Sequence, residues 1–156
     1  KTATLISAAA QIGAILAGVN STREQALADY GMNVGIAFQI MDDVLDYAST
    51  EHDLGKAIGK DLQEGSITLP FIEALQRSSV RDKKIMTELL SRGEELQPGD
   101  MAAILEIINK YEGNRRAVDK AHYYIRKAEE ALQAFDGSEQ KKPLLALARY
   151  VVERTG

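Results

Sequence analysis

The stretch Phe38-Gln39-Ile40-Met41-Asp42-Asp43-Val44-Leu45-Asp46-Tyr47 sets three carboxylates into sequence that is otherwise almost entirely apolar. At about 100° per residue, a helix puts Asp42 and Asp46 about 40° apart and one turn from each other, with Asp43 turned about 100° away. Gln39 lies one turn before Asp42 and Asp43, so one helix face carries a Gln and a cluster of acids. Like charges at this spacing repel by about a few tenths of a kcal/mol when exposed and by more when partly buried. A cation offsets that repulsion, and oxygen-only donors with no His or Cys beside them favour a hard ion, Mg²⁺ before Ca²⁺. A short acidic motif taken alone is as often a solvated helix face. Here Ile36, Ala37, Phe38, Ile40, Met41, Val44 and Leu45 leave little room for such a face, so the cluster is read as lining a cavity.

Residues 49–66 continue as Ser-Thr-Glu-His-Asp-Leu-Gly-Lys-Ala-Ile-Gly-Lys-Asp-Leu-Gln-Glu-Gly-Ser. Glycines and capping residue types at this density predict a loop. Gly55 and Gly59 permit a close backbone approach to a ligand, and Lys56 and Lys60 bring positive charge to the end of the acidic helix. Carboxylates suited to Mg²⁺ beside a glycine-spaced lysine loop match one ligand class, a polyphosphate: the metal bridges phosphate oxygens to carboxylates, and the lysines cover the remaining charge.

The pattern Gly35-x-x-Phe38-Gln39-x-x-Asp42-Asp43-x-x-Asp46, then Gly55-Lys56-x-x-Gly59-x-Asp61-Leu62-x-Glu64-Gly65-x-x-Thr68-Leu69-Pro70, resembles the second aspartate-rich region of the all-trans isoprenyl (polyprenyl) diphosphate synthases, octaprenyl and decaprenyl diphosphate synthases among them. Lys1-Thr2 is similar to the Lys-Thr pair that precedes this region in the family. Residues 1–75 carry the likeness; residues 76–156 are compatible with it but hold no diagnostic motif. The resemblance implies an all-α, isoprenoid synthase-type helical bundle, of which residues 1–156 are the C-terminal part of a single synthase domain. Family members are about twice as long and carry a first aspartate-rich motif in their N-terminal half; no second D-D-x-x-D occurs here, and the chain opens on Lys1 rather than Met. The expectation is therefore the C-terminal half of a synthase, inactive by itself.

By the same resemblance, Asp42, Asp43 and Asp46 match aspartates that hold Mg²⁺ on an allylic diphosphate. Gln39 lies near that diphosphate, Phe38 is a wall of the pocket, and Lys56 reaches the diphosphate. Lys1 also contacts the diphosphate, with Thr2 beside the reacting allyl group. The family often has a lysine after Glu-Gly where this chain has Ser66; Lys60 either substitutes for it or points to solvent. Asp61 either helps hold metal-bound water or orders the lysine loop. The implied reaction is condensation of isopentenyl diphosphate with an allylic diphosphate by ionisation, attack of the double bond on the allylic cation, and loss of a proton, with Mg²⁺ and lysines stabilising the departing diphosphate. The absence of any catalytic triad or convincing His base fits that chemistry, and an apolar pocket keeps out water that would quench the cation. A homodimer is implied as well. Two other readings compete: a non-catalytic partner subunit of a heteromeric synthase, which would tend to lose acids from the motif, and a class I terpene cyclase, which would lack the Gly-Lys-x-x-Gly-x-Asp-Leu loop. A plain helical interaction domain explains neither motif.

The chain contains no Cys, which excludes disulfides, thiolate metal sites and a catalytic Cys. A formal net charge of −4 argues against a nucleic-acid partner. No apolar run is long enough for a transmembrane span, and the expected location is the cytoplasm.

Helical periodicity runs through the chain. Residues 2–17 are apolar nearly all round, as befits a central bundle helix. Ser21 or Thr22 is the expected cap of a second helix reaching Ala48. Further helices are predicted over 69–77, 80–91, 99–111, 114–135 and 142–153, with Pro98 and Pro143 at starts and Gly113 and Gly137 at breaks. Gly31 and Gly35, one turn apart, predict close helix packing. Tyr30 and Tyr47 are read as core before pocket or dimer contact. His52 is read as an exposed loop residue and His122 as a packing or surface residue. Arg154 is a candidate for approaching the second substrate.

Overall fold

The structure, a computed structural model, describes residues 1–48, 60–93 and 96–154. The first helix, α1 (Thr2–Leu16), is built from strong helix formers such as Ala3, Leu5, Ala8, Ala9 and Ala10. It stops at Gly18, whose φ of +65° only glycine adopts without strain. There the Gly18 N–H donates to the Ile15 carbonyl at 3.0 Å and the Val19 N–H to the Ala14 carbonyl at 3.4 Å, the paired bonds of a Schellman stop. The second helix, α2 (Ser21–Ala48), is capped by Asn20, whose Oδ1 accepts the Arg23 N–H at 3.0 Å. This corrects the expectation of Ser21 or Thr22: the Asn20 amide is short enough to reach the third helical N–H from the position just outside the helix.

Next come α3 (Lys60–Gln63), α4 (Leu69–Arg77), α5 (Val80–Leu90), α6 (Pro98–Lys110) and α7 (Gly113–Ala131). A 3₁₀ turn (Leu132–Phe135) and α8 (Lys141–Glu153) complete the chain, and no strand occurs among the described residues. Two breaks differ from those the sequence predicts. The helix expected over 114–135 tightens into the 3₁₀ turn at Leu132, a common way for a last turn to satisfy its carbonyls. Gly113 is no break: it is the first residue of α7, and the left-handed residue is Glu112, at φ +55°. Gly113 is needed for space, because a Cβ there would meet the Pro70 carbonyl oxygen at 2.4 Å. Gly137 does break the chain, at φ +80°.

Residues divide into two compact units, Lys1–Met41 with Asp119–Gly156, and Asp42–Val118. In the first, α1 lies antiparallel to the part of α2 up to Met41. Ser7 Oγ donates to the buried Ala28 carbonyl at 2.8 Å, and Gln11 Nε2 to Glu24 Oε1 at 2.8 Å. The two backbones touch at the paired glycines: a Cβ on Gly31 would lie 2.8 Å from the Ile6 oxygen, and one on Gly35 only 2.4 Å from the Ala3 Cα. The Tyr30 hydroxyl, buried as expected, donates to the Leu144 carbonyl at 2.8 Å. Arg149 pairs with Glu129 at 2.7 Å, between α8 and α7. Although α1 is apolar nearly all round, it is covered on one stripe only. Leu5 is 73 % exposed and Leu16 82 %, with Ile12 and Ile15 beside them, and among the described residues nothing covers this face.

In the second unit, α4, α5 and α6 bury Phe71, Ala74, Met86, Leu89, Met101, Ile104 and Ile108, joined by Tyr47 from the end of α2 and Leu62 from α3. A polar knot ties the start of α5 to the end of α6. The Asp82 carboxylate accepts from Lys110 Nζ at 2.8 Å and from the Tyr111 hydroxyl at 2.7 Å, while its backbone N–H donates to the cap residue Ser79. The hydrogen bond from Lys110, then that from Tyr111, holds the Asp82 carboxyl below the usual carboxylate range. Glu73 is also buried, and its carboxylate meets the Arg77 guanidinium at 2.6 Å.

Candidate functional site

The residues that the sequence marks as a site fall in both units. In the first unit, Lys1 stands exposed at the start of α1. The next residue, Thr2, donates from its hydroxyl to Gln39 Oε1 at 3.2 Å, so the Lys-Thr pair and the motif Gln are brought together. The contact follows from the local packing, since Gly35 sits one turn before Gln39 and lets α1 approach at Ala3, next to Thr2. Phe38 is half-buried, with the Arg154 guanidinium over its ring at 4.2 Å, and Arg154 Nη2 donates to the Phe38 carbonyl at 3.2 Å. A cation on a ring face is attracted by the ring quadrupole, so Arg154 covers one face of the Phe38 ring.

In the second unit the three acids differ. Asp42 is exposed, whereas Asp43 and Asp46 are half-buried. One oxygen of Asp43 accepts the backbone N–H of Leu69, the first residue of α4, at 3.1 Å. One oxygen of Asp46 accepts the N–H of Asp61 in the first turn of α3, at 3.2 Å. Carboxylates at helix starts are favoured by the unpaired amides and by the positive end of the helix dipole. Asp43 and Asp46 therefore tie down the chain where it returns. Between these bonds the Tyr47 and Thr68 hydroxyls lie 2.6 Å apart, in the interior. Burial, first of all, pushes the Tyr47 phenol up to about 12; the negative charges of Asp46, Asp43 and Asp61 add to this, and the hydrogen bond with Thr68 opposes it.

Lys56, with Gly55, Gly59 and His52, lies outside the described residues. Lys60 opens α3, and Ser66 is exposed in the stretch before α4. Among the described residues no cluster of three or more His, Cys, Asp or Glu side chains is drawn together tightly enough to hold a metal ion. The donor chemistry of the acidic stretch is nonetheless all oxygen, with no nitrogen or sulfur ligand beside it, which suits a hard divalent cation. Arg154, read from the sequence as approaching the second substrate, touches Phe38. Thr68 has no role in the sequence reading, although it lies inside the quoted pattern. Its only sequence signal is its place just before Leu69-Pro70, at a helix start. No helix among the described residues is long and apolar enough to cross a membrane.

Residues 1–108 match the model of the polyprenyl synthetase family. A short chain isoprenyl diphosphate synthase from Methanothermobacter thermautotrophicus is 39 % identical over 154 residues, which cover 99 % of this chain and 46 % of that protein. Component 2 of the heptaprenyl diphosphate synthase of Bacillus subtilis is 34 % identical over 154 residues, 99 % of this chain and 43 % of the relative. Among solved structures, a polyprenyl synthase from Caulobacter crescentus, complexed with calcium and isoprenyl diphosphate, superimposes with a TM-score of 0.89 at 37 % identity, over 100 % of this chain and 47 % of that one. The chain thus spans a little under half the length of the relatives it matches. The acid helix, the Lys-Thr start and the Thr-Leu-Pro return all lie within the matched 108 residues, and the all-helical fold matches that of a solved synthase: the chain belongs to the polyprenyl synthetase family.

Proposed function

We propose that this chain is the C-terminal part of a single synthase domain of a prenyltransferase that condenses isopentenyl diphosphate with an allylic diphosphate into an all-trans polyprenyl diphosphate. The observation that carries this reading is the acid helix in its family setting: Gln39, Asp42, Asp43 and Asp46 all stand at the spacing of the motif, in a chain whose first 108 residues match the family. In the condensation the carbon–oxygen bond of the allylic diphosphate breaks with its electron pair on the departing diphosphate. The double bond of isopentenyl diphosphate then attacks the allylic cation, and a proton is lost from the adduct.

The chain's own residues bind and orient. Lys1 and Lys56 neutralise diphosphate charge. Thr2 holds Gln39 through its hydroxyl, so the Gln39 amide faces the substrate in one orientation. Phe38, backed by Arg154, is an apolar wall that keeps water from the cation. Asp42, Asp43 and Asp46 would hold Mg²⁺, which when bound supplies Lewis-acid stabilisation of the leaving diphosphate. The solved relative complexed with calcium and isoprenyl diphosphate supports a divalent cation beside a prenyl diphosphate. Lys60 is proposed to supply the contact that Ser66 lacks.

We place the enzyme in the cytoplasm as a homodimer. The kinship with a synthase component 2 supports a second reading, a subunit that works with an unlike partner; the intact acids favour a catalytic subunit in that case too. The remaining length of the family, with its first aspartate-rich motif, is required for activity. The test is incorporation of radiolabelled isopentenyl diphosphate by the full-length protein with Mg²⁺ and farnesyl diphosphate as primer, beside Asp42→Ala. Elongation that Asp42→Ala cuts by about two orders of magnitude or more is expected, in line with the loss of a charge-stabilising group. No incorporation with any allylic primer sinks the reading.

A further inference from the structure

Three hydrogen bonds among those that join the returning chain to the end of α2 are unequal. In two of them a backbone amide, that of Leu69 or Asp61, donates to a half-buried carboxylate, Asp43 or Asp46. The third joins two side-chain hydroxyls in the interior, Tyr47 at 7 % exposure and Thr68 at 3 %, at 2.6 Å. A hydrogen bond shielded from water is electrostatically stronger, and breaking it leaves the other partner buried and unsatisfied.

Thr68 holds the cap position of α4 with extended backbone, φ −89° and ψ 162°, where a Thr hydroxyl ordinarily turns in to accept a helix amide. It makes no such cap bond. Its hydroxyl is engaged by Tyr47, and the capping duty passes to Asp43, whose carboxylate accepts the N–H of the next residue, Leu69. The order of dependence follows from connectivity. The Tyr47–Thr68 pair sets where Thr68 sits, and Thr68 is covalently joined to the amide that orients Asp43. Tyr47 is itself one turn after Asp43 and adjacent to Asp46, so both carboxylates are anchored next to the same buried pair.

We propose that Tyr47 and Thr68 are positioning residues, a buried hydroxyl latch that fixes the returning chain on which the Asp43 and Asp46 carboxylates are held, and through it their affinity for a divalent cation. This rests on the reading of those acids as cation ligands given above. Partners that orient ligands from behind ordinarily govern metal affinity rather than the chemistry itself. The latch therefore predicts a shift in metal dependence with little change in the rate at saturating metal.

The test uses the full-length protein and two readouts. Mn²⁺ binding in the presence of inorganic diphosphate is followed by electron paramagnetic resonance, and isopentenyl incorporation is measured against Mg²⁺ concentration. Tyr47→Phe keeps the buried ring and removes only the hydroxyl. It is expected to weaken Mn²⁺ binding about 10- to 100-fold and to raise the Mg²⁺ midpoint by the same factor. Thr68→Val should match it, Thr68→Ser should retain near wild-type affinity, and the double variant Tyr47→Phe/Thr68→Val should be no worse than either single one, because each already breaks the same pair. A role in stability alone would lower the active fraction without moving either midpoint. Unchanged Mn²⁺ affinity in folded Tyr47→Phe and Thr68→Val overturns the latch, even where the wild type is an active synthase. A wild type that binds Mn²⁺ but incorporates no isopentenyl unit, with the variants still weakened, sinks the synthase reading and leaves the latch standing. A wild type that binds no Mn²⁺ overturns both.

Discussion

Adding one methyl group at Gly35 tests the packing that joins the Lys-Thr pair to the motif Gln. In a helix interior, Gly→Ala contributes about 1 kcal/mol of stability through lower chain entropy and better propensity. At Gly35 that gain is opposed, because the new Cβ would lie 2.4 Å from the Ala3 Cα and 3.0 Å from its Cβ. Carbon atoms rest comfortably at about 3.5–4.0 Å, so the start of α1 must retreat by about 1 Å or more. No rotamer change relieves the contact, since the neighbour is backbone. Overpacking of this kind costs about 1–3 kcal/mol, and a backbone clash belongs at the upper end. The net expectation is a loss of about 1–2 kcal/mol.

The functional effect should be larger. Thr2 precedes Ala3 and holds Gln39 through a bond already 3.2 Å long, so a retreat of about 1 Å breaks it, and a misplacement of that size can cost about 100-fold in rate. Urea unfolding and isopentenyl incorporation by the full-length protein measure the two effects. The control is Gly13→Ala on α1, where a Cβ would meet nothing within 4 Å; it should stabilise by up to about 1 kcal/mol and leave the rate unchanged. A Gly35→Ala protein as stable and as active as the wild type would mean that α1 yields at no cost and that the close approach at Ala3 does not set the Thr2–Gln39 contact.

Three further outcomes are expected. The lowered Asp82 carboxyl contributes stability above the unfolded-state value near 4 and loses it as pH falls through the lower folded value. The urea midpoint of the wild type should therefore drop as acid is added below about pH 4, and Asp82→Asn should lower the midpoint at neutral pH while losing that part of the slope. Gly113→Ala drives a methyl group against the Pro70 carbonyl oxygen, 2.4 Å away, and should lower Tm by several degrees, about 4 °C or less for each kcal/mol in a chain of this size; an unchanged Tm would show that α4 and α7 part easily. Chelation with EDTA should abolish isopentenyl incorporation and added Mg²⁺ should restore it, whereas turnover that persists in EDTA would separate the acid helix from metal chemistry.

Much of the architecture is legible in the sequence because it is local. Helical periodicity, Pro70 and Pro98 at starts, and Gly18 and Gly137 at stops mark most elements to within about two residues; the exceptions are the helix expected over 114–135, which tightens at Leu132, and the short α3, which lies in a stretch read as loop. The acid helix is legible because three carboxylates among apolar side chains have few physical explanations. Other features depend on distance through space rather than along the chain. Asn20 displaces Ser21 and Thr22 as the cap because of where its amide points. Gly113 looks like a break, but its requirement is set by a carbonyl more than forty positions earlier, and Glu112 takes the turn instead. The part that Asp43 and Asp46 play in holding the amides of Leu69 and Asp61 has no signature in spacing, since backbone amides are the same in every residue.

The bare side of α1 has a consequence for this chain made alone. Leu5, Ile12, Ile15 and Leu16 together make the kind of contiguous apolar stripe that chaperone holdases and aggregating chains recognise. For this chain made alone, recovery then depends on how quickly that stripe finds cover. Substitutions that leave every site residue intact but delay its burial would appear as low yield rather than low turnover. Replacing Leu5 and Leu16 with polar residues would separate the two effects, raising the recovery of this chain made alone while weakening whatever normally rests on the helix.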